Sequence, residues 1–167
     1  MFFIASPPRT RTYWLAQYFD GLPGVTCFHE LLNGMESREQ FYEIMECNGQ
    51  IGDSDSGLFM TDFQDRWPDA PTLIVERDTG DIAASLRSYL EGQGLPEVPQ
   101  DILEDHQAKI GDLAGLRVPF EDLDNRLPEV HYYFGIPYIE EYARHMAGTR
   151  LELPKLVIGG NSYQNWN

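Results

Sequence analysis

Two arginines alternate with two threonines near the N-terminus, in a pattern that could bind an anion. They form the run Arg9-Thr10-Arg11-Thr12, which directly follows two prolines. The planar guanidinium group of arginine can donate two parallel hydrogen bonds to phosphate or sulfate oxygens, and hydroxyl groups add further donors. The chain has 12 lysines and arginines against 27 aspartates and glutamates, so two clustered arginines are informative. The chemistry that this run indicates is the binding of a phosphate or sulfate group.

The elements on either side would place this run at the start of a helix. Phe2 to Ala5 is a short apolar run typical of a buried strand, and the prolines stop it because they donate no ladder hydrogen bond. Apolar residues at helical spacing, ending at Phe19, predict a helix that begins near Thr10. The unpaired N–H groups and the positive dipole of a helix N-terminus favour bound anions. The alternative is a solvated loop in which Thr10 or Thr12 only caps the helix.

The rest of the chain alternates between short apolar runs and helical patterns. The further predicted strands are Val25–Phe28, Gln50–Ser54, Thr72–Val75 and Leu116–Phe120. The end of the strand over Gln50–Ser54 overlaps a predicted polar loop over Gly52–Gly57. The further predicted helices open at Ser37 and Thr79 and cover Thr61–Trp67, Asp101–Leu113, Leu127–Phe134 and Tyr138–Met146. This alternation predicts an α/β fold in which helices cover both faces of a parallel sheet. We expect one domain over residues 1–158 and a polar C-terminal tail over residues 159–167.

Polar residues follow several of the predicted strands. Ligands bind parallel sheets at the carboxyl ends of the strands, so these residues should lie along one edge. They are Arg9 and Arg11, the pair His29-Glu30, the segment Asp53–Ser56, and Arg77. A ligand site is therefore expected at this edge.

The bulk composition argues against several classes of function. A net charge of −15 disfavours a surface that binds nucleic acid or an anionic membrane. The four histidines and the two cysteines, Cys27 and Cys47, show no ligand spacing, which indicates reduced thiols and no metal site. No basic segment precedes the N-terminal apolar run, and no run reaches the length of a membrane span. We therefore expect a cytoplasmic protein.

Three segments match the motifs of one family. The first is the loop PPRTRTYWL over residues 7–15, the second is LIVERDTGDIAASL over residues 73–86, and the third is LRVPFEDLDNRLPEVHYYFGIP over residues 116–137. Together and in this order they resemble the PAPS-dependent sulfotransferases, in particular short members of bacterial or phage type. PAPS is 3′-phosphoadenosine-5′-phosphosulfate. The resemblance spans about residues 2–137, which is most of the chain.

The first two segments resemble the phosphate-binding motifs of that family. The loop is similar to the 5′-phosphosulfate loop, P-R-S-G-T-T-W-L in many bacterial members, with Arg11 in place of the glycine and Tyr13 in place of a threonine. The loop residues that match are Pro8, Arg9, Thr10, Thr12, Trp14 and Leu15. The second segment is similar to the 3′-phosphate motif, in which an arginine at a strand end precedes a serine by eight residues. Arg77 and Ser85 have that spacing, and Asp81 matches the aspartate between them.

The third segment resembles the late pattern R-Y-E-D-L, a helix, and F-L-G-L/I-P. The residues that match are Glu121, Asp122, Leu123, Phe134, Gly135, Ile136 and Pro137. The family's final R-K-G motif, which clasps the 3′-phosphate, has no counterpart in this chain. Arg144, Arg150 and Lys155 are candidate substitutes.

The resemblance implies a P-loop-like α/β fold and a function. The implied protein is a sulfotransferase that moves a sulfuryl group from PAPS, without a metal ion, to a hydroxyl or amine of a small-molecule or glycan acceptor. Arg9, at the position of the catalytic lysine or arginine, would contact the bridging oxygen and the 5′-phosphate, while Arg77 and Ser85 would hold the 3′-phosphate. The residues implied to bind PAPS are Pro8, Arg9, Thr10, Arg11, Thr12, Tyr13, Arg77 and Ser85.

An acceptor hydroxyl also needs a base within hydrogen-bond reach. Glu30 is the first candidate and His29 the second, because both follow the second strand at the predicted edge. The alternative is that His29 packs and Glu30 caps or solvates the next segment. In the same way, Arg77 could form a surface ion pair with a neighbouring carboxylate, and Ser85 could be a packing residue.

Arg11 is the departure from the family pattern that bears most on function. Glycine in such a loop allows the backbone to approach a phosphate closely, whereas arginine could add a charge or block the site. Two other functions stay open: a non-catalytic nucleotide-binding or protein-interaction domain on a degenerate sulfotransferase fold, and a P-loop kinase-like enzyme that uses ATP. The ATP-binding pattern G-x-x-x-x-G-K-S/T does not occur, which counts against the kinase. The sequence indicates neither the acceptor nor the oligomeric state.

Overall fold

The structure, a computed structural model, describes residues 1–149, and within them five parallel strands form one sheet. The strands are Phe2–Ala5 (β1), Val25–His29 (β2), Gln50–Asp55 (β3), Thr72–Glu76 (β4) and Leu116–Pro119 (β5). Their order across the sheet is β2-β3-β1-β4-β5. The predicted α/β fold with a parallel sheet is confirmed, and β5 lies at an edge as its proline suggests. The predicted domain end at residue 158 and the tail over 159–167 lie outside the described residues.

Helices connect the strands. They are Thr12–Asp20 (α1), Arg38–Met45 (α2), Phe63–Arg66 (α3), Thr79–Gln93 (α4), Gln100–Gly111 (α5), Leu123–Phe134 (α6) and Glu140–Ala147 (α7). Short 3-10 helices cover Leu31–Gly34, Leu58–Met60 and Phe120–Asp122. Within the described residues, no helix combines the length and the apolar character that a membrane crossing needs.

The sheet has an apolar layer on each face, because successive residues of β1 point in opposite directions. Phe2 packs against α6 and α1, with ring centroids 4.5 Å from Phe134 and 5.3 Å from Phe19. Phe3 faces the other way and lies 4.6 Å from the ring of Phe63 in α3. All four residues of β1 are fully buried. This explains why the strand reads as a continuous apolar run.

Helix α1, which follows the arginine loop, is fixed by hydrogen bonds as well as by packing. The hydroxyl of Tyr18 lies 2.7 Å from Nε2 of the buried His131 in α6. The indole N–H of Trp14 donates to the carbonyl of Met146 in α7 over 3.2 Å. Burial lowers the pKa of His131, which favours the neutral ring in this contact. The start of α1 is thereby held at a defined place on the sheet.

The polar loop predicted over Gly52–Gly57 is wrong over its first four residues, because β3 continues through Asp55. Asp53 and Asp55 are buried, and both share a face with Phe3 and Ala5 of β1. The carboxylate of Asp53 accepts a hydrogen bond from the N–H of Leu31 at 3.3 Å. Asp55 accepts from the N–H groups of Leu32 at 3.2 Å and Gly57 at 2.6 Å. These carboxylates satisfy backbone donors inside the protein, which a polar sequence pattern does not reveal.

Candidate functional site

The loop between β1 and α1 has an unusual backbone. Arg9 and Arg11 adopt left-handed conformations with φ of 66° and 63°, which side-chain-bearing residues rarely do. Arg11 is the N-terminal cap residue of α1, and its side chain makes no capping hydrogen bond. The hydroxyl of Thr10 donates to the carbonyl of Pro7, and Thr12 is already the first residue of the helix. The alternative in which a threonine side chain merely caps the helix is therefore wrong.

Arg9 extends from this loop to helix α4. Its Nε donates to Oγ of Ser85 over 3.2 Å, and its guanidinium carbon lies 4.8 Å from the ring centroid of Tyr89. Burial lowers the pKa of Arg9, Tyr89 acts against this, and the charge of Arg77 lowers the pKa further. Within residues 1–149, Nη1 and Nη2 of Arg9 have no hydrogen-bond partner. The terminal nitrogens therefore carry the unused donors of this side chain.

Arg77 lies beside Arg9 at the end of β4. Its Nη1 donates to the carbonyl of Arg9 over 2.7 Å, and its guanidinium carbon lies 4.3 Å from the ring centroid of Phe120. Its Nε is buried and has no partner among the described residues. The structure thus brings Arg9, Arg77 and Ser85 together, although they are far apart in sequence.

The alternative readings for this group do not hold. Asp78 uses its carboxylate to cap α4, where it accepts from the N–H groups of Gly80 at 2.8 Å and Asp81 at 3.2 Å. Glu76 pairs with Arg117 at 2.9 Å. Neither carboxylate pairs with Arg77, and Ser85 bonds to Arg9 rather than only packing.

Arg11 is directed toward α6 instead. Its Nη1 lies 2.5 Å from Oδ1 of Asp124, and its guanidinium carbon lies 5.4 Å from the ring centroids of both Trp14 and Phe120. Its positive charge is therefore balanced by a carboxylate, unlike the charge of Arg9. The ring of Phe120 contacts two guanidinium groups, those of Arg11 and Arg77.

The two candidate bases lie at the end of β2, next to the start of α1. Nε2 of His29 is 3.3 Å from Oγ1 of Thr12, and its ring meets that of Tyr13 edge to face at 5.2 Å. Burial lowers the pKa of His29, and the carboxylate of Glu30 acts against this shift. Oε1 of Glu30 lies 3.9 Å from the same imidazole nitrogen, and Oε2 accepts from the amide of Asn33 at 2.7 Å. A neutral imidazole beside the loop can accept a proton.

The third strand joins this edge through Ser54. The hydroxyl of Ser54 donates to the carbonyl of Thr12 over 2.9 Å, which ties β3 to the first turn of α1. Asp53 and Asp55 point to the opposite face of the sheet. Within residues 1–149, no group of three or more histidine, cysteine, aspartate or glutamate side chains could hold a metal ion.

The sequence analysis did not assign Tyr89, Phe120 or Asp124 to the expected phosphate site. Tyr89 follows Ser85 by four residues, so helical spacing places both on one face of α4 and could have indicated it. Phe120 directly follows β5, and the strand-end rule applies to it as well. Asp124 carries no such signal, because its contact with Arg11 depends on how α6 packs.

Comparison with known proteins shows the class of fold. No protein-family model and no curated protein matches the sequence. Solved structures do match. Mouse sulfotransferase SULT7A1, complexed with PAP, is 17% identical with a TM-score of 0.62, covering 87% of this chain and 62% of the mouse chain.

Two further sulfotransferases have similar structures. The enzyme from Alicyclobacillus acidocaldarius is 14% identical with a TM-score of 0.60, over 90% of this chain and 85% of that one. The sulfotransferase domain from the curacin biosynthetic pathway is 14% identical with a TM-score of 0.59, over 85% of this chain and 76% of that one. The chain has the sulfotransferase fold, as the sequence resemblance implies. It spans about 62% of the length of the mouse protein.

Proposed function

We propose that this protein binds PAPS and transfers its sulfuryl group to a hydroxyl or amine of an acceptor. One observation carries the proposal: Arg9 and Arg77 meet at the carboxyl edge of the sheet without a carboxylate partner. The arginines 11, 66, 87, 117, 126 and 144 each form an ion pair with a carboxylate. Among the described residues, neither Arg9 nor Arg77 does. In a chain of net charge −15, two adjacent unbalanced guanidinium groups indicate an anionic ligand.

The residues present fit a nucleotide that carries two phosphate positions. Arg77 offers a buried Nε without a partner among the described residues, and Arg9 offers two terminal nitrogens. The N-terminus of α1 adds backbone donors beside them. The mouse neighbour was solved with PAP, 3′-phosphoadenosine-5′-phosphate, which has such a pair of phosphates. We assign Arg77 and Ser85 to the 3′-phosphate, and Arg9 with the loop residues Pro8 to Tyr13 to the 5′ side.

In the proposed reaction, PAPS supplies a sulfuryl group whose S–O bond to the 5′-phosphate breaks as the bond to the acceptor oxygen or nitrogen forms. Arg9 stabilises the negative charge that develops on the leaving phosphate oxygen. His29 accepts the acceptor proton, since it is the candidate base that contacts the loop, and Glu30 stands behind it at 3.9 Å. The protonated imidazole is stabilised by that carboxylate.

The first test separates the two phosphate positions. The melting temperature of the wild-type protein should rise with PAP, because a ligand that binds only the folded state stabilises it. Replacing Arg77 by alanine should weaken PAP binding about 10- to 100-fold, since hydrogen bonds to charged groups contribute about 1.5–3 kcal/mol. Binding of adenosine 5′-phosphosulfate, which has no 3′-phosphate, should change less than about threefold.

Arg87→Ala is the control, because Arg87 lies on α4, the helix that follows Arg77, is exposed and pairs with Glu97. It should leave both affinities unchanged. Equal losses for the two ligands in Arg77→Ala would contradict the 3′-phosphate assignment. A wild-type protein that ignores PAP would remove the proposed function, and one stabilised by ATP with Mg²⁺ but not by PAP would favour the kinase.

A second test addresses the base, with labelled PAPS and a phenolic acceptor such as 2-naphthol. His29→Gln should lower the rate of transfer by about 100-fold or more, in the range of general base catalysis, while PAP affinity stays within about threefold. The wild-type rate should fall as the pH drops below the lowered pKa of His29, because the protonated ring cannot accept a proton. A large loss in Glu30→Gln with little loss in His29→Gln would make Glu30 the base.

A non-catalytic nucleotide-binding protein is the second candidate. The observation that favours it is Arg11, which lies at the position where the phosphosulfate loop of the PAPS-dependent sulfotransferases has glycine. The same labelled PAPS decides between the two. Binding of PAP without transfer to a panel of alcohol, phenol and amine acceptors would favour the binding protein.

A further inference from the structure

Helix α4 presents two groups to Arg9, one turn apart. Ser85 accepts from Nε, and the ring of Tyr89 lies 4.8 Å from the guanidinium carbon. We infer that Tyr89 is a positioning residue, whose ring holds the guanidinium group of Arg9 in place without balancing its charge. This inference rests on the proposed function, because it concerns how Arg9 is prepared for its anionic ligand.

Two contacts at different points fix this side chain. With only the hydrogen bond from Nε to Ser85, the plane of the guanidinium group could still rotate about the N–H···O direction. A ring against the guanidinium group restricts that rotation as well, and cation–π contacts contribute about 0.5–2 kcal/mol. Ordering a long arginine side chain costs a comparable free energy, up to about 2 kcal/mol. The aromatic contact is therefore large enough to offset that cost before the ligand arrives.

The chemical nature of the two partners distinguishes Arg9 from the other loop arginine. Arg11 is held by the carboxylate of Asp124 at 2.5 Å, which balances its charge. Arg9 is held by a hydroxyl and an aromatic ring, which are both neutral. A carboxylate at position 89 would compete with a phosphate for Arg9, whereas a ring leaves the charge and both terminal nitrogens available.

The ring also lies beside two crowded positive charges. Arg77 lies close enough to lower the pKa of Arg9. The electron-rich face of the aromatic ring attracts the guanidinium group of Arg9 and so acts against this repulsion. This contact is made by the ring and not by the phenol hydroxyl, so phenylalanine should replace tyrosine without loss.

The experiment is a double-mutant cycle read by calorimetric titration with PAP. Tyr89→Leu should weaken PAP binding about 5- to 30-fold, the equivalent of about 1–2 kcal/mol for a desolvated cation–π contact, and Tyr89→Phe should stay within about threefold. In an Arg9→Ala background, Tyr89→Leu should cause no further loss, because the residue acts only through Arg9. Tyr132→Leu, at a tyrosine that is 89% exposed, controls for the loss of a phenol.

Two outcomes would overturn the inference while leaving the proposed function standing. In the first, Tyr89→Leu weakens PAP binding equally in the wild-type and the Arg9→Ala backgrounds. In the second, Tyr89→Phe weakens PAP binding as much as Tyr89→Leu does. Failure of the wild-type protein to bind PAP would overturn both the inference about Tyr89 and the proposed function. An NMR readout is independent of the ligand: the Nε–H proton of Arg9 should be shifted by the ring of Tyr89 in wild type and in Tyr89→Phe. An unchanged proton shift in Tyr89→Leu would refute the contact itself.

Discussion

Arg11 carries a long side chain at a position whose backbone favours glycine. Its φ of 63° places the residue in the left-handed region, where a Cβ costs about 1–2 kcal/mol. Its side chain recovers part of this cost through Asp124 and the rings of Trp14 and Phe120. The side chain leads to α6, where the carboxylate of Asp124 balances its charge.

A pair of substitutions isolates the backbone contribution of Arg11. Arg11→Gly and Arg11→Ala both remove every side-chain contact, and they differ in tolerance of a positive φ. The glycine variant should therefore be more stable than the alanine variant by about 1 kcal/mol. Urea unfolding measures the difference. An alanine variant as stable as the glycine variant, or more stable, would show that residue 11 is not left-handed in solution.

Consecutive residues of strand β3 make hydrogen bonds on opposite faces of the sheet. Ser54 faces α1 and binds the carbonyl of Thr12, while Asp53 faces the opposite layer and holds the N–H of Leu31. Asp53 is fully buried, and one of its carboxylate oxygens has no partner among the described residues. Burial first, and then the neighbouring Asp55, raise the pKa of Asp53 well above its usual 3.8. A proton on Asp53 is therefore bound more tightly in the folded protein than in the unfolded chain.

This proton makes stability depend on pH. Because the folded protein binds it more tightly than the unfolded chain does, the contribution of Asp53 is complete below pH 3.8 and is lost as the pH rises through its raised pKa. Asp53→Asn should remove the share due to Asp53, up to about 1.4 kcal/mol per pH unit, and its amide oxygen can still accept from Leu31. The share due to Asp55, whose pKa burial raises to about 7, should remain. Urea unfolding at pH 5 and pH 7.5 should give a shallower decline for the variant than for wild type. Parallel declines would show that Asp53 stays ionised in the folded protein.

At the scale of the whole molecule, the fold follows from patterns that a sequence displays openly. The continuous apolar run of β1 requires a sheet covered on both faces, and the strand ends then gather Arg9, His29 and Arg77 at one edge. Helix limits were less accurate. Helix α6 begins at Leu123, four residues before the predicted start, and therefore contains Pro128 in its second turn.

The parts of the site that the sequence did not predict depend on distant packing. Asp124 contacts Arg11 although the two residues are 113 positions apart in the sequence, and no local residue spacing predicts such a contact. The burial of Asp53 and Asp55 was missed for a related reason, since aspartates next to glycines usually indicate a loop. Their backbone partners belong to a 3-10 helix and a turn whose positions only the folded chain defines.

The contact between Arg11 and Asp124 has an evolutionary consequence. An arginine at position 11 without a carboxylate at position 124 would leave a third unbalanced cation next to Phe120 and Arg77. A carboxylate at 124 without the arginine would place a negative charge beside the proposed anion site. Each single change leaves an unbalanced charge, so we expect the two positions to have changed together. Homologues with glycine at position 11 should therefore lack the acidic residue at position 124.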